Sequence, residues 1–157
     1  MTTTLRTDPD ARRRGGEPVG AAGEGVRVRW GLPADDEKVS ELLELNGISR
    51  RMVYEERFIV AEKDGHVVAA VAYRTESKRL LLGRLLVDPW ADERVLAVAL
   101  YAGAGKLARE MGVRKVRART EHRAKHPSGA GYRRRLGGWR LDVPRVMEDR
   151  APGQGGR

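Results

Sequence analysis

Few side chains in this sequence can move a proton or hold a metal near neutral pH. There are three histidines, His66, His122 and His126, and no cysteine. Without cysteine, disulfides, thiolate catalysis and zinc–cysteine sites are excluded. The histidines are scattered, and none stands at a ligand spacing with a carboxylate partner, so no metal site is expected. His66 follows an Asp-Gly turn and His126 precedes Pro127 in a presumptive loop, so both are expected at the surface. His122 titrates in a range useful for catalysis, although the neighbouring Arg119 and Arg123 disfavour its cation. The same arginines suit Glu121 to a structural ion pair better than to proton abstraction. Asp92 and Glu93 open a helical pattern, where a carboxylate caps free N–H groups and meets the positive end of the helix dipole.

The charge is concentrated. Residues 114–140 hold ten Lys and Arg against Glu121 alone, which equals the net charge of +9 for the whole chain. Such a segment attracts anions, and an anionic ligand there is one expectation; a solvated basic face is the plainer one. Residues 1–25 carry almost nothing large and apolar, and neither does the segment 151–157. Both are expected to be disordered tails, because they bury too little surface to offset their ordering entropy. That leaves 26–150 as one domain with a core of its own. No apolar run follows the N-terminal arginines and none reaches membrane-spanning length, so a cytoplasmic protein without membrane contact is expected.

The elements that must position these groups follow from apolar periodicity. Val26, Val28 and Trp30 alternate as a half-buried strand. Pro33 and the acidic Asp35, Asp36 and Glu37 suit a helix start, Val39, Leu42, Leu43 and Leu45 form its stripe, and Gly47 stops it. Residues 48–56 are ambiguous, with a short helix as one reading. Residues 58–74 place two apolar runs around Asp64-Gly65, a hairpin signature. The run 79–88 is too apolar for an exposed edge and so reads as central. Leu96, Leu100, Gly103, Leu107 and Met111 mark a helix over 93–111, with a small-residue side suited to close packing on a sheet. A strand over 113–120, a short helix over 129–137 and a strand over 139–143 complete the order.

That order resembles the GNAT acyl-CoA N-acyltransferase fold. Arg29 to Asp35 (RWGLPAD) is similar to the family's Arg-x-Ala-x-x-x-Asp opening, with Gly31 in place of Ala. Residues 58–74 resemble its second and third strands, and Leu85 to Trp90 (LLVDPW) its strand-ending Val-x-Pro. Leu136 to Trp139 (LGGW) is similar to its Leu-Gly-Phe. The resemblance implies an α/β domain with a mixed, splayed central sheet of about six strands flanked by three to four helices. It also implies acetyl-CoA as acyl donor and an amine as acceptor. Leu85, Leu86 and Val87 would pair with the pantetheine amides. Arg94, Val95, Leu96, Ala97 and Val98 would form the phosphate-binding helix start. Within that loop the family's Gln/Arg and glycine positions fall on Asp92 and Val95, and only Ala97 fits.

The family's acid is often a Tyr four residues before the Gly of Leu-Gly-Phe. Here that position is Arg133, and Tyr132 is its neighbour, so Tyr132 serves as acid only after a register shift; packing is its alternative role. Glu76, Glu121 and His122 are the groups near strand ends available as a base through water. The resemblance thus implies an N-acetyltransferase of unspecified amine. The departures at Asp92, Val95 and Arg133 leave two alternatives: a catalytically inactive interaction module, or a nucleic-acid-binding domain using the 114–140 patch.

Overall fold

Asp64 and Gly65 both adopt positive φ, 53° and 80°, which gives the tight turn joining the two longest apolar runs of the N-terminal half. Around it the chain folds in the order β1 (Val26–Trp30), α1 (Asp36–Leu45), β2 (Arg57–Lys63), β3 (His66–Glu76), β4 (Arg79–Val87), α2 (Glu93–Met111), β5 (Lys115–Arg119), α3 (Lys125–Gly129), β6 (Arg133–Arg135) and β7 (Gly138–Asp142). Short 3-10 turns at Pro33–Asp35 and Arg50–Tyr54 precede and follow α1. The computed structural model describes residues 25–119 and 125–144. The expected tails, apart from Gly25, and the candidates Glu121 and His122 lie outside the described residues.

The strands form one mixed sheet in the order β1-β2-β3-β4-β5-β7-β6. The sheet has seven strands, one more than the sequence suggests. The extra one is β6: residues 129–137 do not form the expected helix. The helix ends at Gly129, and Arg133–Arg135 turns back to pair with β7. Gly131, at φ 91°, makes that reversal affordable for the backbone.

Each face of the sheet buries its own cluster. On one, α2 lays Leu96, Leu100, Tyr101, Ala104, Leu107 and Ala108 over Ile59, Val71, Leu80, Leu82, Val116 and Ala118. The small side of α2 permits this approach: a Cβ at Gly103 would overlap Val28, and one at Gly105 would lie 2.6 Å from Leu141. On the other face, Val39, Leu42 and Leu43 of α1 cover Phe58, Val60, Ala70, Ala72 and Leu86. No residue of β5, β6 or β7 joins this second cluster. That half of the outer face carries no helix core among the described residues.

The RWGLPAD segment has a physical reason. Arg29 holds Asp35 through two hydrogen bonds of 2.8 and 3.0 Å and reaches Glu62 on β2 at 2.8 Å. Asp35 also accepts from the Leu32 N–H at 2.7 Å, which fixes the entry to α1. Gly31 replaces the family's Ala because a Cβ there would lie 2.7 Å from the Phe58 carbonyl oxygen. The Arg29 guanidinium, chiefly through its hydrogen bond, holds the Asp35 carboxyl below the usual carboxylate range. A carboxyl depressed in the folded state stabilises the protein above its unfolded pKa, and this is lost as pH falls through the folded value. Denaturant melts should therefore show stability falling below about pH 4, and Asp35→Asn should flatten that limb while costing roughly 2 kcal/mol at neutral pH.

Candidate active site

β4 and β5 run parallel and pair only from Arg79↔Lys115 to Leu82↔Ala118. Beyond that rung, Gly83–Val87 continues on β3 alone, and among the described residues nothing pairs with its other edge. The sheet is thus splayed at its centre, with strand 79–87 central as the sequence suggests. At the point of divergence β4 carries one extra residue. Tyr73 faces Leu82 and Val71 faces Leu85, so two β3 steps span three on β4. A bulge of this kind leaves backbone polar groups without a ladder partner.

Two cavities flank the bulge. One, about 490 Å³, runs along the free edge of β4 and is lined by Arg84, Leu85, Val87, Asp88, Pro89, Ala91, Glu93 and His126, with Leu45 and Asn46 from α1 and its exit. The other, about 510 Å³, lies beside the Arg50–Tyr54 turn. It is lined by Glu55, Glu56, Arg57, Ala72, Tyr73, Arg74, Thr75, Leu81, Gly83 and Arg119. Neighbouring residues of β4, Gly83 and Arg84, thus face different cavities.

At the helix end of the first cavity, Asp92 caps α2 by accepting from the Val95 N–H at 3.3 Å. Arg94 is exposed on the first turn, and Val95 and Val98 are half-buried. Leu96 and Ala97 point into the core. Along β4, Leu85 and Val87 line the cavity, whereas the Leu86 side chain is buried on the α1 face. The Val87 carbonyl accepts from Asn46 Nδ2 at 3.2 Å, which ties the exit of α1 to the strand end.

His126 departs from expectation. It is 3% exposed, because α3 folds onto the first turns of α2. Its Nε2 hydrogen-bonds Glu93 Oε2 at 3.1 Å, and Nδ1 has no partner among the described residues. No periodicity in the five-residue helix signals this burial; the Glu93 partner is 33 residues away.

Tyr132 is packed in the core. It is 3% exposed, stacks edge-on against Tyr101 at 5.4 Å, and donates its hydroxyl proton to the Tyr101 carbonyl at 2.8 Å. Burial raises its pKa well above the ordinary tyrosine value. A hydroxyl so sealed faces the core and neither cavity. Tyr132→Phe should therefore cost roughly 1 kcal/mol of stability in a denaturant melt. Glu76 stands exposed at the end of β3, paired with Arg74 at 3.7 Å, and lines neither cavity. Of the groups that do face the second cavity, Tyr73 ends the legible hairpin run, whereas Glu55 and Glu56 lie in the ambiguous 48–56 stretch, where the acidic pair just before β2 was the available signal.

Residues 25–137 match the model of the GNAT acetyltransferase family. The chain belongs to that family. Solved GNAT structures share the fold at low identity. Ribosomal-protein-S18-alanine N-acetyltransferase from Escherichia coli superposes with a TM-score of 0.60 at 14% identity, covering 77% of this chain and 96% of its own. Ard1 from Thermoplasma volcanium gives 0.60 at 16%, covering 76% and 99%. A GNAT family acetyltransferase from Brucella melitensis, solved in complex with acetyl-CoA, gives 0.57 at 16%, covering 76% and 92%. Among curated proteins, no sequence matches the chain. No helix among the described residues is long and apolar enough to cross a membrane.

Proposed function

We propose that this GNAT protein transfers an acetyl group from acetyl-CoA to an amine across the β4 bulge. The observation that carries the reading is the pair of cavities lined by the neighbouring residues Gly83 and Arg84, on a strand edge with which no described residue pairs. The free edge at Leu85 and Val87 offers backbone groups to the amide-rich pantetheine arm, and the unpartnered backbone of the bulge stands where a thioester oxygen gathers charge. Acetyl-CoA supplies a thioester whose C–S bond breaks as the bond to the amine nitrogen forms. From the other side, the carboxylates of Glu55 and Glu56 attract an ammonium and take its proton through water, leaving a neutral nucleophile. The thiolate leaves towards the solvent-facing side of the first cavity and is protonated there.

The fit is good along β4 and poor at the phosphate end. Asp92 takes up the Val95 N–H, and Glu93 adds a second negative charge. His126 Nε2 lies against Glu93, and Arg84 lines the same cavity. This balance favours modest acetyl-CoA affinity. Isothermal titration should show binding, and Asp92→Asn with Glu93→Gln should tighten it about tenfold, equivalent to ~1.4 kcal/mol. No binding by either protein would leave the second reading, a GNAT-fold interaction module without acyl-CoA, which the two carboxylates at the helix start favour. Tight wild-type binding that the change leaves flat would refute the argument from charge.

A further inference from the structure

The outer face of β4, β5 and β7 holds a third depression, about 520 Å³, lined by Lys78, Arg79, Arg114, Lys115, Arg117 and Arg140, with Ser77 as its only uncharged residue. These side chains come from separate parts of the chain: the β3–β4 turn, the start of β5, and β7. Register brings them together. Arg79 pairs with Lys115, and Arg117 with Arg140, so the cations stand in adjacent rows on one face, about 5 Å apart between strands and about 7 Å along them. The opposite face of the same strands carries Leu80, Val116, Leu141 and Trp139, packed under α2.

Little within the molecule neutralises this surface. Asp142 pairs with Arg140 at 3.2 Å, and the Arg117 guanidinium donates to the Leu136 carbonyl at 3.4 Å. Lys78, Arg79, Arg114 and Lys115 form no ion pair with any described residue. The acidic clusters that the sequence set against a polyanion lie elsewhere. Asp35 is held by Arg29, and Glu93 faces the cavity along the free edge of β4. Helix α1 covers only the β2–β4 half of this face, so the cationic half is open among the described residues.

We propose that this cationic sheet face binds the phosphodiester backbone of nucleic acid. Charge complementarity selects that partner. Even with Arg140 paired to Asp142, the five other cations exceed what one small anion neutralises, and Arg matches phosphate oxygens in bidentate geometry. The nearby aromatic rings, Trp139 and Tyr132, are buried on the other side, so among the described residues the face has no platform on which bases stack. Recognition is therefore of the backbone and independent of sequence. The face continues along β5 from Arg117 to Arg119, which lines the cavity assigned to the amine, so a bound strand passes beside that cavity. The proposal stands on this surface alone and does not require acetyl transfer.

Fluorescence anisotropy with a labelled 20-nucleotide single-stranded RNA tests it across a salt series. Each neutralised phosphate contributes about 0.7 to the slope of log K against log salt, so four contacts give a slope near −3. Replacing Arg79, Lys115 and Arg117 with Gln should lower affinity at least tenfold at low salt and reduce the slope by about 2. The more exposed pair Lys78→Glu and Lys115→Glu gives the same direction should the triple variant unfold. Acetyl-CoA titration of the same variants should be unchanged, separating this face from the cavity along β4. Absence of RNA binding at low salt, a slope that neither variant moves, or equal affinity for polyglutamate would each overturn the proposal.

Discussion

Gly83→Leu is expected to lower acetyl transfer at least a hundredfold while leaving acetyl-CoA affinity and folding close to those of the parent. Gly83 lies at the bulge and faces the cavity assigned to the amine. A Cβ there meets only Ala72, at 3.6 Å for the nearest atom, which is ordinary contact, so the backbone tolerates a side chain. The added isobutyl group projects into the space where the nucleophile must approach the thioester carbon. Displacement of reacting atoms by about 1 Å is enough for a hundredfold loss, because the geometry of attack is what the site supplies. In the proposed arrangement acetyl-CoA lies along the free edge of β4, so its affinity is expected to be unaffected. The measurement is release of CoA thiol across a panel of amines, alongside isothermal titration with acetyl-CoA. Turnover equal to the parent's would place the chemistry away from the bulge.

Gly138→Ala is expected to destabilise the fold by about 3 kcal/mol or more, lowering the melting temperature by roughly 10 °C. Gly138 has φ 150°, a region L-residues seldom enter, and a Cβ would overlap the Ala118 carbonyl oxygen. That carbonyl belongs to β5 beside the last rung with β4, so relief of the overlap pulls β5 away from β7. Gly112 is the control. It too has positive φ, 80°, at the end of α2, but nothing lies within 4 Å of its missing Cβ. Gly112→Ala should cost only about 1 kcal/mol, the intrinsic price of the left-handed conformation. Similar losses in both variants, followed by thermal and denaturant melts, would contradict the steric account.

What was legible in the sequence was governed by local pattern. The Asp64-Gly65 turn, the stripe and small side of α2, Gly112 as its stop, and the central place of 79–87 all follow from periodicity and backbone preference. Asp92 as a cap was legible for the same reason, since its partner is three residues away. The site's other half was not. Glu55 and Glu56 gain meaning only because the Arg50–Tyr54 turn sets them opposite β5. Burial of His126 depends on α3, too short to show a period, leaning on a helix thirty residues earlier. The C-terminal arginines read as a helix because Arg133–Arg135 has no apolar alternation; its strand state comes from pairing with β7. The concentration of charge in 114–140 was visible, but its merger with Lys78 and Arg79 required the parallel register of β4 and β5.

The four rungs between β4 and β5 have a kinetic meaning as well. Strands β1 to β4 include two hairpins closed by turns of a few residues, at Asp64-Gly65 and Ser77-Lys78, whereas Arg79 meets Lys115 only after the whole α2 crossover has been laid down. Contacts that close large loops form late and are among the first to open. The chain therefore has a seam, and the seam coincides with the cleft. Amide hydrogens of β5 and β7 should exchange through partial openings that leave the β2–β4 meander protected. A ligand lying along the exposed edge of β4 and touching α2 and α3 spans both sides of that seam, and in occupying the cleft it closes that join.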